Sequence, residues 1–142
     1  MTKTVLPKGE FLWRARAVCL EEAQAEFALG LPPLADPTKA TAADMPKAAV
    51  YGDGLIPALQ KKNDDLQALG IPEGDPFTGE LGLIKGAFHY MAESVKEFAK
   101  ANDAAHKGNV SAFITHWILA RELDTTSDEL FEAYGLPICS AD

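Results

Sequence analysis

The sequence predicts an all-α protein, an antiparallel up-down four-helix bundle with a Pro-rich loop after its first helix. Three observations carry this. Four long segments repeat their apolar residues at steps of three and four, the signature of helices with one buried stripe. No segment gives a strand signal. The connection around Lys107–Asn109 is short, which forces the helices on either side to run antiparallel. The length of 142 residues fits one domain, 1–142, and the chain shows no internal repeat, low-complexity tract or domain boundary.

The first helix is expected over Lys8 to Leu29. Leu12, Ala15, Cys19 and Glu22 fall along one line, and Trp13, Ala17, Leu20 and Phe27 along its neighbour; Gly30 ends it. The stretch GLPPLADPTKATAAD then reads as a loop crossing. The second helix is expected over Asp44 to Leu69, with Asp44 as N-cap and Pro46 in the tolerant first turn. Its stripe is Leu55, Leu59, Leu66 and Leu69, and Gly52, Gly54 and Pro57 predict a kink near Pro57. GIPEGDPFTG is the second loop.

The third helix, about Gly79 to His106, has the clearest stripe: Ile84, Phe88, Met91, Val95, Phe98, Asn102 and Ala105. Thr78 before it and Gly108 after it suit a start and a stop. The fourth helix is expected over Val110 to Tyr134, along Phe113, His116, Ala120, Leu123, Ser127, Leu130 and Tyr134. Thr126 three residues before Glu129 offers a capping box, so a kink or restart is expected there. Gly135 suits the position just past the helix, and Pro137 prevents continuation. Trp13, Trp117, Phe88, Phe98, Phe131 and Tyr134 are expected in the core.

The net charge of −8 argues against nucleic acid and anionic lipid as partners, since both are bound by excess Lys and Arg. No apolar run approaches the roughly 20 residues of a transmembrane helix. MTKTVLPKGEF lacks the apolar region and cleavage site of a signal peptide, so the chain reads as cytoplasmic or as a mature segment with an added initiator Met.

The two cysteines bear on that choice. In an up-down bundle the first helix starts where the fourth finishes, which brings Cys19 and Cys139 to the same end. A disulfide between them would close a loop of about 120 residues, worth roughly 5 kcal/mol in the chain-entropy picture. The alternative is two reduced thiols, each packed as a small hydrophobe. There is no CxxC and no zinc spacing. A bridge implies an oxidising compartment and hence export. If Cys19 lies deep in its helix, the segment after Gly135 must fold back to reach it.

The segments AVCLEEAQAEFALGLPP and SDELFEAYGLPIC resemble small secreted proteins and lipoproteins of actinobacteria that have no characterised activity. These carry a Cys early in the first helix, a Pro-rich loop after it and a closing AYGLxxC segment. The resemblance implies a helical bundle, export and a paired cysteine. It implies no activity.

No catalytic residue can be assigned, because no Ser-His-Asp or Cys-His context marks a nucleophile. Isolated glycines such as GDG form no phosphate loop. His116 lies on the apolar stripe of the last helix and reads either as a core histidine or as a metal or haem ligand. His89 and Glu93, four apart on one helix, could share a metal. No ExxH or CxxCH occurs, which argues against a ferritin-like iron site and covalent haem. Glu21, Glu22 and Glu26, and Asp64 with Asp65, read as solvated acidic faces. DTTSDE lacks the glycine and spacing of a calcium loop.

The reading is therefore a non-enzymatic, exported, disulfide-closed bundle with no cofactor, acting as a binding or structural module. A protein partner, or a small apolar ligand between the helices, would be its target. The alternatives are a metal- or haem-binding bundle using His116, or His89 with Glu93, and a cytoplasmic accessory protein with free thiols. The sequence assigns no oligomeric state.

Overall fold

The computed structural model describes residues 5–75, 77–78 and 81–140, and over these the protein is an all-α antiparallel four-helix bundle. The helices are α1 (Lys8–Ala28), α2 (Met45–Leu69), α3 (Leu83–His106) and α4 (Val110–Tyr134). Short 3-10 turns cover Pro37–Lys39, Ala42–Asp44 and Pro137–Cys139.

The boundaries follow local chemistry. α4 spans the expected residues, and Gly135 closes it in the left-handed region at φ 106°. The expected restart at Thr126 does not occur. The Thr126 hydroxyl instead donates to the Glu122 carbonyl one turn back, at 3.2 Å, and the helix runs on. α2 likewise runs unbroken through Gly52, Gly54 and Pro57. Pro46 occupies its first turn as expected, but the Asp44 carboxylate turns away to accept from Thr41 N, 2.8 Å, and Thr41 Oγ1, 3.0 Å.

α3 begins at Leu83, later than the expected Gly79, which itself lies outside the described residues. Two short segments, β1 (Phe77–Thr78) and β2 (Leu81–Gly82), pair antiparallel and delay the helix. This pair was not expected from the sequence. The start is fixed from a distance: the Asp75 carboxylate accepts from Ile84 N at 3.0 Å and Lys85 N at 3.1 Å, taking up two amides that the helix leaves unpaired.

Two apolar clusters fill the bundle. One gathers Phe11, Ala15 and Cys19 of α1, Leu66 of α2, Ile84, Phe88 and Met91 of α3, and Phe131, Tyr134, Leu136 and Cys139 at the chain's end. The Phe11 and Tyr134 rings meet edge-on at 5.9 Å, joining the start of α1 to the end of α4. The other cluster holds Met45, Ala48, Ala49, Ala101, Ala105 and Phe113, with Leu34 from the Pro-rich crossing, and no member comes from α1. Buried serines tie α3 to α4: Ser94 donates to the Ala120 carbonyl at 3.0 Å and Ser127 to that of Ala87 at 2.8 Å.

The α3 stripe is buried as read, except Asn102, which is half-buried. The α1 stripe is corrected. Its buried line is Phe11, Ala15, Cys19 and Glu22, with Leu12 at the margin. The neighbouring line faces solvent, with Trp13 72% and Phe27 89% exposed, so Trp13 is not a core residue. The cause is that α1 touches the bundle along one narrow edge, so residues slightly off that edge have nothing to pack against.

A close approach joins α2 to α3. A Cβ on Gly52 would overlap the Asn102 carboxamide, whose Nδ2 donates to Asp53 Oδ1 at 3.1 Å. Asp53 also accepts from His106 Nε2 at 2.6 Å, and these bonds, that from His106 foremost, hold its carboxyl below the ordinary range. Gly52→Ala is expected to destabilise the protein by about 1–2 kcal/mol, read as a lower urea midpoint, because the Asn102 side chain must leave Asp53. An unchanged midpoint would contradict that packing.

Candidate functional site

Cys19 and Cys139 are bonded, with Cα atoms 5.1 Å apart and 120 residues between them. Cys19 lies near the middle of α1, not at its start. The chain therefore doubles back after Gly135, as that placement required. Leu136 and Cys139 are completely buried. The return is tied down on both sides: Lys62 Nζ of α2 donates to the Cys139 carbonyl at 3.1 Å, and Ser140 Oγ donates to Glu132 Oε1 of α4 at 2.7 Å. Lys62 is itself buried at 7% exposure.

This returning segment wedges between α1 and α4, and beyond it the two helices stay apart. The gap is a cavity of about 790 Å³. One wall is the second half of α1, with Glu22, Glu26 and Phe27. The second is α2, with Tyr51, Leu55, Ile56 and Leu59. Phe98 and Asn102 of α3, and Phe113, Trp117, Arg121 and Asp124 of α4, make the third. The Pro-rich crossing (Pro32–Ala35 and Pro37) and the returning segment (Pro137, Ile138, Ser140) close it at two sides. Trp117 is fixed by ring contacts to Phe98 at 5.0 Å and Phe113 at 5.8 Å.

Glu22 is the group that makes this cavity unusual. It is 7% exposed, and its Oε1 is buried with no hydrogen-bond partner. The solvated-face reading of Glu22 is thus overturned. Its place one helical turn beyond Cys19 puts it on the buried line, whereas Glu21 and Asp64 are exposed as expected. Burial, then the hydrogen bond shared with Glu26 and the charges of Glu26 and Asp124, push the Glu22 carboxyl up to about 8 against a partial opposing effect of Lys62. At neutral pH it is mostly the neutral acid. Tyr51 feels the same surroundings: burial, then the Glu26 and Glu22 charges, raise its phenol above the ordinary value. A buried polar atom without a partner costs on the order of 1–3 kcal/mol.

The histidines lie elsewhere. His116 is half-buried on α4, its Nδ1 2.7 Å from Glu97 Oε2. Burial tends to raise the Glu97 carboxyl, but the hydrogen bonds from His116 and Lys100 outweigh it and leave it below the ordinary range. Glu93 pairs with Lys96 at 3.1 Å, and His89 is exposed beside the Tyr90 ring. The structure does not gather His116, His89 and Glu93 into one group. Among the described residues no cluster of three His, Cys, Asp or Glu side chains could hold a metal ion.

No family model, curated protein or solved structure matches the chain. Among the described residues no helix is long and apolar enough to cross a membrane.

Proposed function

We propose that the protein is an exported, non-enzymatic binding module that holds a small, mainly apolar ligand in the cavity between α1 and α4. One observation carries the reading: the volume of about 790 Å³ is that of a ligand pocket, and its mainly apolar walls include the buried carboxyl of Glu22, one of whose oxygens has no hydrogen-bond partner. Apolar walls supply affinity, and a few polar groups fix orientation. Export is supported by the Cys19–Cys139 bridge, since such bonds persist in oxidising compartments, and by the resemblance of the two cysteine-bearing segments to small secreted proteins.

The test is uptake of N-phenyl-1-naphthylamine, a weakly basic dye, neutral at pH 7, that brightens in apolar sites. A saturable rise at micromolar dye is expected. Leu59→Trp places bulk in the cavity wall and is expected to weaken uptake at least tenfold while leaving the helical circular dichroism unchanged. Equal uptake by a folded Leu59→Trp protein, or no uptake by either, would refute the cavity as the binding site.

A further inference from the structure

Three acids, Glu22, Glu26 and Asp124, stand among the cavity's polar groups. Glu22 and Glu26 share a bond on α1, and Asp124 of α4 adds its charge to them. If the shared proton lies on the Glu22 oxygen facing Glu26, the unpartnered Oε1 is a carbonyl acceptor. On α3, Asn102 Oδ1 is a second buried acceptor without a partner. The Asp53 carboxylate can only accept, so Asn102 must turn its amide nitrogen there, which fixes the oxygen's position.

The cations nearby are committed or peripheral: Lys62 Nζ is on the Cys139 carbonyl, and Arg121 is exposed. A ligand that carries positive charge would offset the charges of Glu26 and Asp124 that crowd Glu22. The aromatic walls at Tyr51 and Trp117 suit such a cation.

We infer that the ligand is a hydrophobic amine, with its ammonium group on Glu22 beside Glu26 and Asp124 and its apolar body among Leu55, Leu59 and Trp117. This rests on the cavity reading above. Binding an ammonium favours ionised Glu22, so the proton that Glu22 holds at neutral pH leaves on binding. Affinity then rises with pH toward about 8, by up to about tenfold per unit. Glu26, Tyr51, Asp124 and Arg121 are the other titratable groups on the cavity walls, and Glu21, Lys61, Lys62 and Asp65 surround Glu22 on the α1–α2 side.

The experiment uses n-decylamine, n-decanol and n-decanoate below their aggregation limits, titrated calorimetrically into the intact disulfide-bonded protein at pH 6, 7 and 8 in two buffers of different ionisation enthalpy. At pH 7 the amine is expected to bind at least tenfold more tightly than the alcohol and to release about one proton. Decanoate, repelled by the acids, is expected to bind weakest. Glu22→Gln should reduce the preference for amine over alcohol to less than threefold and abolish proton release. Leu59→Trp should weaken all three probes.

Decanol or decanoate binding as tightly as decylamine overturns the amine assignment and leaves the cavity reading standing. So does an amine preference that survives Glu22→Gln. Decylamine bound undiminished by Leu59→Trp marks general attraction to the acidic surface and also overturns the assignment. Failure of all three probes to bind overturns the cavity reading with it.

Discussion

Replacing both cysteines, Cys19→Ser with Cys139→Ser, is expected to lower the stability by about 3–5 kcal/mol and the melting temperature by roughly 10 °C or more. The bond spans 120 residues of sequence, so its loss frees almost the whole unfolded chain. The native state loses too. Leu136 and Cys139 are buried only because the chain returns along α1, and Lys62 keeps its ammonium buried by donating to the Cys139 carbonyl. Released, the segment uncovers the first core and leaves Lys62 without that acceptor. It also withdraws Pro137, Ile138 and Ser140 from the cavity wall, so dye uptake should weaken with stability. Urea unfolding of the variant, and of the wild type with and without reductant, reads this directly. In unreduced, unfolded wild-type protein neither thiol should react with an alkylating reagent. A stability change under 1 kcal/mol would mean that the returning segment holds its place without the bond.

Glu22→Gln should stabilise the protein, and by an amount that depends on pH. The carboxyl has an ordinary value of 4.5 and is pushed up to about 8 in the folded protein. Between those values the folded state binds one proton more than the unfolded state. Stability of the wild type therefore falls as pH rises through this window, by up to about 1.4 kcal/mol per unit from this group. Below 4.5 the acid is neutral in both states and the penalty vanishes. Glutamine never ionises and can donate to Glu26 in place of the acid proton. The variant should match the wild type near pH 4 and exceed it by at least about 2 kcal/mol at pH 8. Asp36, Asp53 and Glu97, whose carboxyls lie below the ordinary range, act in the opposite sense at low pH but are common to both proteins. Parallel urea midpoints for the two proteins from pH 4 to 8 would show that Glu22 ionises normally.

The α3 stripe and the α4 boundaries were legible because these two helices, joined by a short turn, pack closely on each other. α1 was legible only as a helix. Its true buried line differs by one residue from the one read, since Trp13, Leu20 and Phe27 look like core residues in a list of hydropathies but stand off the contact edge. Glu22 illustrates the opposite failure. Its spacing from Cys19 placed it on the buried line, while its charge argued for water, and charge was the wrong guide because a neighbouring carboxylate can share its proton. The delayed start of α3 had no local signal, since Asp75, nine residues before Ile84, caps it.

By itself the sequence determined the four helices and their antiparallel order, and brought Cys19 and Cys139 to one end of the bundle while leaving reduced thiols open, because periodicity, short connections and chain ends are local or topological facts; the structure shows the bond. Only the tertiary structure decided that α1 parts from α4 beyond the bridge. Residues 137–139 pack against both helices at the bridge, and beyond them α1 faces α4 across the cavity, which makes a buried acid and an apolar cavity out of residues that share no pattern along the chain.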